Sequence, residues 1–248
     1  MIRKRVIAVL TINNGVLFRT RNFQPDYRYT FNFVDSWSID EIVLLDVTRP
    51  GQGKRENFYC SVQSFAKECF VPLTVGGGVK SSEEFKFFLK IGADKVAVNT
   101  HAIDHPDFIT KQAKIFGSQC VVISIDAKLH KDGKYRVYYS QGTKYTKIEP
   151  HDWAKKVQDL GAGEILIQSI DKDGTLEGYD NNLCKSITSV VQIPVLICSG
   201  AGNWSHFAEG FSTGKASGVC TNNIFHFTEA SIKSAKKFLD NSGFNVRI

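Results

Sequence analysis

The sequence predicts a single (βα)8 barrel, in which eight parallel strands alternate with helices. Three observations predict this fold. Eight short apolar runs rich in β-branched residues recur along 248 residues, a length typical of such a barrel. The runs are continuously apolar, as parallel strands covered by helices require. Helical stretches lie between them. A doubly wound open sheet, which has the same alternation of elements, is the alternative.

The elements follow one another in a regular order. The predicted strands are Arg5–Thr11, Glu41–Asp46, Leu73–Val75, Lys95–Val98, Cys120–Asp126, Glu164–Gln168, Val195–Cys198 and Gly218–Thr221. The clearest predicted helices are Ser81–Ile91, His151–Leu160 and Trp204–Ser212. Ser81 followed by Glu84 is a capping-box pattern, which fixes the start of the first of these helices. Asp132-Gly133 predicts the turn of a hairpin inserted after the fifth strand.

Composition excludes several classes of protein. Lysine and arginine exceed aspartate and glutamate by 31 − 25 = +6 without a block of like charge, so we expect no nucleic-acid partner and at most a preference for anionic, phosphorylated substrates. No apolar run reaches the length of a membrane span, and no signal-peptide pattern precedes the first strand. The six scattered cysteines form no CxxC pair, which indicates a reduced, cytoplasmic protein without a disulfide framework.

The chain also contains an internal repeat. Val71–Gly78 aligns with Ile193–Gly200 at an offset of 122 residues. Glu41–Asp46 aligns with Glu164–Ser169 at an offset of 123. Because several segments keep nearly one offset, we predict that residues 1–248 form one domain built from two half-barrels, about 1–119 and 120–248.

A duplicated half-barrel predicts duplicated ligand sites at the strand ends. Glycine clusters follow the third and seventh strands, where bare backbone N–H groups can bind a phosphate. Short polar side chains follow the next strand in each half. The predicted phosphate-binding residues are Gly77, Gly78, Asn99, Thr100, Gly200, Gly202, Asn222 and Asn223. The loop after the sixth strand adds Asp173 and Gly174 to the same mouth of the barrel. Tight turns without a ligand are the alternative for all these loops.

Several motifs together resemble the family of HisF, the cyclase subunit of imidazole glycerol phosphate synthase. They are Lys4–Ile7, Thr74–Gly78, Gly92–Val96, Phe116–Gln119, Ile125–Lys128, Gly161–Leu166, Ser169–Thr175, Ser199–Gly202 and Phe225–Phe227. The resemblance covers essentially the whole chain. It implies a barrel of two half-barrels that pairs with a HisH-like glutaminase. It also implies that ammonia crosses the barrel core and reacts with a bisphosphorylated ribulosyl nucleotide. No cofactor or metal is implied.

The resemblance also assigns roles to residues at the mouth. The family uses two aspartates for proton transfer, at the ends of the first and fifth strands. Asp126 matches the second, whereas Thr11 stands at the position of the first. A threonine hydroxyl is too weakly acidic to replace a carboxylate in general acid–base work near neutrality. The family's basic residue in the following loop survives as Arg19, and its active-site threonine after the sixth strand is Gln168 here; the resemblance implies that both bind the phosphorylated substrate.

The opposite end of the barrel matches the family throughout. Arg5, Glu41, Lys95 and Glu164 match the ring of charges that closes the family's ammonia entrance. Asp94 matches an aspartate on the face that docks the glutaminase. The alternative for the four charges is a set of paired ions that only plugs the barrel.

These matches leave three hypotheses. The first is a HisF-like paralogue that forms a heterodimer with a HisH-like glutaminase and carries its ammonia. The ammonia would serve a different amidation, for example that of a surface-polysaccharide sugar by a third subunit, an amidotransferase. The second is a genuine synthase of histidine biosynthesis in which another carboxylate, such as Asp46, replaces the missing aspartate. The third is a non-catalytic scaffold that binds the glutaminase and a phosphorylated ligand. The first is favoured because Thr11 impairs only the cyclase end.

Overall fold

The computed structural model describes residues 3–29, 39–222 and 229–248, with only the backbone described for 24–29 and 229–231. Its strands are β1 (Arg5–Asn13), β2 (Val16–Arg21), β3 (Gln24–Tyr29), β4 (Glu41–Asp46), β5 (Leu73–Gly76), β6 (Lys95–Val98), β7 (Val121–Leu129), β8 (Tyr135–Tyr139), β9 (Lys144–Tyr145), β10 (Glu164–Ser169), β11 (Val195–Cys198) and β12 (Gly218–Thr221). The eight predicted strands are all present. Four of them, β4, β6, β11 and β12, have the predicted bounds.

Eight of these strands close into a parallel barrel. Neighbours in the order β10-β11-β12-β1-β4-β5-β6-β7 are hydrogen-bonded, and β7 also pairs with β10, which completes the ring. In the closing pair, Gln168 lies beside Asp126. Closure confirms the predicted (βα)8 barrel. It excludes the doubly wound open sheet, because an open sheet would leave two of these strands with an unpaired edge.

Helices cover the outside of the barrel. Those in the described part of the chain are α1 (Arg55–Glu68), α2 (Ser82–Lys90), α3 (Thr100–Asp104), α4 (Asp107–Phe116), α5 (Pro150–Asp159), α6 (Asn181–Thr188), α7 (Trp204–Ser212) and α8 (Glu229–Asn241). As predicted, Ser81 caps α2, since its hydroxyl accepts a hydrogen bond from the backbone N–H of Glu84 at 3.1 Å. Among the described helices none has both the length and the apolar character needed to span a bilayer.

Two antiparallel hairpins extend the barrel at the carboxyl ends of its strands. The β7–β8 hairpin confirms the prediction from Asp132-Gly133, with Leu129 paired to Tyr135. The hairpin formed by β1 and β2, which β3 extends, was not predicted. Its signal is Asn14-Gly15, which adopts φ values of 50° and 82° in the turn, a pair of residues typical of tight hairpins.

Side chains of the barrel strands alternate between two buried layers. One layer packs against the helices, where it meets large residues such as Trp153, Phe85 and Phe207. The other layer fills the barrel interior with apolar side chains. Its members are Ile7, Val9, Val43, Leu45, Ala97, Val122, Leu166, Leu196, Cys198 and Cys220.

The internal repeat has a counterpart in the backbone. Gly77 and Ser199, which are 122 residues apart, adopt φ values of 92° and 77°, and the following glycines, Gly78 and Gly200, adopt 69° and 100°. Each proposed half contributes four barrel strands, β1, β4, β5 and β6 in the first and β7, β10, β11 and β12 in the second. These agreements support the division at about residue 119, which stays a proposal.

Candidate functional site

Four charged side chains form a closed ring at the amino end of the barrel. Arg5, Glu41, Lys95 and Glu164 are the first residues of β1, β4, β6 and β10. The Arg5 guanidinium donates to Glu41 at 2.8 Å and to Glu164 at 2.5 Å. The Lys95 ammonium donates to the same two carboxylates at 2.8 Å each. The carboxylates are almost fully buried, and the two cations compensate their charge. The predicted ring residues therefore lie together, as paired ions; their role as an ammonia entrance stays a prediction.

Side chains that point into the barrel interior connect this ring to the mouth at the opposite end. Because side chains alternate along a strand, residues two and four positions beyond a ring residue face the same interior. Along β6 the interior side chains after Lys95 are therefore Ala97 and then Asn99. Glu164 is likewise followed by Leu166 and Gln168. The interior is therefore charged at one end, apolar in the middle and polar at the mouth, over about 13 Å of strand.

Asp126, near the end of the parallel part of β7, is the central carboxyl group of the mouth. Its Oδ2 accepts a hydrogen bond from Asn99 Nδ2 at 2.8 Å. Its Oδ1 accepts from Gln168 Nε2 at 3.1 Å and from Ser124 Oγ at 3.4 Å. Burial raises the pKa of Asp126 to about 7, although these donors act to lower it. A carboxyl group with a pKa near neutrality can both accept and donate a proton in the same reaction cycle.

The position of the missing aspartate offers no acid–base group. Thr11 is buried, and its hydroxyl donates to the backbone carbonyl of Phe18 in the β1–β2 hairpin. Asp46, the replacement considered above, is held elsewhere: Arg55 donates to its Oδ2 and the backbone N–H of Thr48 donates to its Oδ1. Because both carboxyl oxygens of Asp46 already have partners, the geometry opposes reassigning the lost role to this residue.

The two glycine clusters are tightly packed turns. A Cβ atom at Gly77 would lie 2.2 Å from the carbonyl oxygen of Asp46, and one at Gly200 would lie 2.2 Å from that of Gly178. At Gly202 the carbonyl oxygen of Leu176 would be 2.1 Å away. Close packing therefore requires glycine here whether or not a phosphate binds. Phosphate binding at both clusters stays a prediction.

Several residues predicted to bind phosphate or substrate contact other protein groups. Asn99 and Gln168 bind Asp126, as described. The Thr100 hydroxyl accepts a hydrogen bond from the backbone N–H of Ser140 at 3.0 Å, and Arg19 donates to the carbonyl of Gly174 at 3.4 Å. Asp173 is buried and accepts from the backbone N–H of Phe23 at 3.0 Å. Asn222 directly follows β12, whereas Asn223 lies outside the described residues.

The predicted docking residue lies at the opposite end of the barrel from this mouth. Asp94 is exposed just before β6, at the amino end, and its carboxylate accepts from the backbone N–H of Leu73 at 2.8 Å. The rings of His101 and His105 contact each other at a tilt of 53°, with centroids 4.8 Å apart. No cluster of three or more potential metal ligands occurs in residues 3–29, 39–222 and 229–248.

A turn that was not predicted from the sequence joins loops that are distant along the chain. We call residues 140–143, between β8 and β9, the mouth strap. The Gln141 side chain donates to the carbonyls of Thr48 at 3.0 Å and Val47 at 3.4 Å, more than 90 residues away in sequence. A Cβ atom at Gly142 would lie 2.9 Å from the Phe23 ring. The strap therefore contacts the loop after β4 and the turn after β2.

Comparison with known proteins gives a consistent result. The family model described as "Histidine biosynthesis protein" matches residues 6–231. The chain is 41% identical over 254 aligned residues to a protein of Clostridium botulinum (strain Okra / Type B1) named imidazole glycerol phosphate synthase subunit HisF, and the match covers all of both chains. It is 42% identical, again over the full length of both, to the protein of the same name from Chlorobaculum tepidum.

Proposed function

The chain belongs to the family of HisF subunits, and from that premise we propose that it is the barrel subunit of an imidazole glycerol phosphate synthase. In that reaction ammonia and a bisphosphorylated ribulosyl nucleotide give imidazole glycerol phosphate and an aminoimidazole carboxamide ribotide. The observation that carries the proposal is Asp126, a buried carboxyl group with a pKa of about 7 at the barrel mouth. The names of the full-length relatives favour this function over the paralogue role.

Each end of the barrel has a part in the proposed mechanism. Ammonia released by a HisH-like glutaminase, docked at the amino end near Asp94, enters through the charge ring. The apolar interior layer favours neutral ammonia over ammonium, because a charge in that layer would lose its hydration. The nucleotide binds at the mouth with one phosphate at each glycine cluster, where backbone N–H groups supply hydrogen bonds.

Asp126 then performs the proton transfers. When ammonia adds to the substrate, the nitrogen becomes positively charged and loses a proton, which the Asp126 carboxylate accepts. The protonated carboxyl returns that proton to the leaving group during cleavage. One group serves both steps because its pKa lies near neutrality. The absence of a second carboxyl at Thr11 costs on the order of a hundredfold to ten-thousandfold in rate.

A second function is favoured by Thr11 itself. With the Thr11 hydroxyl bound to the Phe18 carbonyl and Asp46 paired with Arg55, no free carboxyl group among the described residues replaces the family's first aspartate, although the cyclase reaction uses two. In this second function the barrel receives ammonia from the glutaminase and delivers it to another amidation, such as that of a surface-polysaccharide sugar by a third subunit.

One experiment separates the two functions. The purified protein is mixed with its co-encoded glutaminase, glutamine and the ribulosyl nucleotide, and imidazole glycerol phosphate is measured. We expect product from the parent, a faster reaction from Thr11→Asp, and none from Asp126→Asn. If Thr11→Asp alone forms product, while the parent still binds the glutaminase and stimulates glutamine hydrolysis, the second function is correct. Ammonium salt in place of glutamine tests the barrel without its partner.

A further inference from the structure

We propose that Gln168 is a positioning residue that holds Asp126 in one orientation as a carboxylate. The family resemblance implies substrate binding by Gln168, whereas the geometry assigns this residue a different role. The inference deepens the proposed function and rests on it for its kinetic consequences. The effect on Asp126 itself can be measured without any substrate.

The register of the barrel brings the two side chains together. Gln168 on β10 pairs with Asp126 on β7, and both face the barrel interior. The Gln168 amide nitrogen lies 3.1 Å from Asp126 Oδ1 and 3.2 Å from Ser124 Oγ. Because Ser124 and Asp126 are two residues apart on one strand, a single NH2 group with two hydrogens spans both acceptors. The threonine of the family pattern has one hydroxyl hydrogen and cannot do so.

The hydrogen bonds around Asp126 suit the anion. Amide donors from two neighbouring strands, on Asn99 and Gln168, converge on its two oxygens together with the Ser124 hydroxyl. A protonated carboxyl would present its own hydrogen to one of these donors and lose a favourable bond. The loop after β10 contributes Asp173, whose negative charge, together with burial, disfavours the anion. The amide donors therefore decide how much carboxylate is present near neutrality.

Gln168 also fixes the direction of the carboxyl group. With Oδ1 bound by Gln168 and Oδ2 bound by Asn99, the carboxyl plane is held from both sides. Loss of either amide would free rotation about the bond to the carboxyl carbon. A proton acceptor that rotates is a poorer base, because proton transfer needs a fixed hydrogen-bond distance to the reacting atom.

The test measures the titration of Asp126 in the whole chain. Carboxyl 13C NMR of aspartate-labelled protein follows the resonance that Asp126→Asn removes. In Gln168→Met, a variant of similar length without donors, we expect the pKa of Asp126 to rise by about 1 pH unit, because a bond to the charged form is lost. Gln168→Thr supplies one donor and should give a smaller rise. Ser124→Ala, which removes the longest of the three bonds, is the matched control and should also shift the pKa less.

The outcomes separate this inference from the proposed function. An unchanged Asp126 titration in both Gln168 variants would overturn the positioning role. A raised KM for the nucleotide with an unchanged pKa would make Gln168 a substrate contact instead. A further outcome is that the parent protein forms no imidazole glycerol phosphate while its Gln168 variants still show a raised pKa of Asp126. In that case the positioning role holds and the cyclase proposal fails. If the parent is active, the acid limb of its kcat profile should move to higher pH with the pKa.

Discussion

At the scale of single residues, Asp126 shows how a functional group lowers the stability of the fold. Its folded-state pKa of about 7 lies above its ordinary value of 3.8. Between these values the folded chain keeps a proton that the unfolded chain releases, so this group makes the protein less stable as the pH rises through the window. Above pH 7 the full difference of about 3 pH units corresponds to about 4 kcal/mol.

This linkage predicts that Asp126→Asn stabilises the protein in a pH-dependent way. The neutral amide carries no buried charge at any pH, so the gain in free energy of unfolding should be about 2–3 kcal/mol larger at pH 8 than at pH 5. Urea denaturation of both proteins at the two pH values measures it. A gain that is the same at pH 5 and pH 8 would contradict the assignment of the raised pKa to Asp126.

Ser199 and Gly77 form a matched pair at equivalent positions of the two proposed halves. Ser199 adopts a left-handed φ of 77°, and its buried hydroxyl has no hydrogen-bond partner among the described residues. Ser199→Gly should therefore raise the free energy of unfolding by about 1 kcal/mol. Gly77→Ser should lower it by about 3 kcal/mol, because the new Cβ would lie 2.2 Å from the Asp46 carbonyl oxygen. Urea denaturation should show opposite signs; equal signs would contradict the structural equivalence.

At the scale of elements, the charge ring joins four barrel strands through one set of ion pairs. Lys95→Met would leave two buried carboxylates with Arg5 as their sole partner in the ring, so we expect a loss of about 3–5 kcal/mol in unfolding free energy. Lys134→Met is the matched control: its pair with Glu149 is at the surface and should contribute less than about 1 kcal/mol. Urea denaturation measures both losses. Similar losses in the two variants would show that the ring contributes no more to stability than an exposed ion pair does.

The mouth strap, residues 140–143, is held to the loop after β4 by the side chain of Gln141. Gln141→Ala removes two hydrogen bonds to carbonyls across the mouth, so local opening should become easier by about 1–2 kcal/mol. Amide hydrogen exchange should then be about tenfold faster in residues 140–143 and unchanged in β7 and β10. Thr143→Ala is the control, because the Thr143 hydroxyl binds only Ser140 within the same turn. Unchanged exchange in Gln141→Ala would mean that other contacts hold the strap.

At the scale of the whole molecule, the proposed half-barrels make a prediction about assembly. Fragments 1–119 and 120–248 each keep four hydrogen-bonded barrel strands, and each exposes two strand edges and half of the apolar interior. We expect the fragments to aggregate when separate and to form a one-to-one complex when refolded together, with a near-UV circular dichroism spectrum like that of the intact chain.

The fragment experiment has an internal control. A cut at residue 70, between α1 and β5, separates β1 and β4 from the other six barrel strands and respects no repeat boundary. Those fragments should not reassemble. Equal recovery from both cuts would contradict a special division near residue 119, whereas failure of the 119 cut alone would contradict the half-barrels themselves.

The order of elements was predictable because it is recorded in local patterns. Each barrel strand is a continuous apolar run with β-branched residues, and polar or glycine-containing segments flank it. For β4, β6, β11 and β12 this pattern predicted both ends of the strand correctly. The β1–β2 hairpin was not predicted although Asn14-Gly15 signals it, because residues 11–13 continue the apolar run of a parallel barrel strand before they pair with β2. The mouth strap has weaker local signals, since Gln141 finds its partners across the barrel.

Local sequence patterns were enough to predict the barrel strands, their repeat and the residues that end up at the two ends of the barrel. The chemical environment of these residues could not be predicted, because it arises from contacts between distant segments. The pKa of Asp126, the binding of the Thr11 hydroxyl to Phe18 and the pairing of Asp46 with Arg55 all depend on closure. Apolar periodicity can be recognised among residues that are close in sequence. The hydrogen bond between Gln168 and Asp126, and the burial of both, arise only when β10 pairs with β7 and closes the barrel.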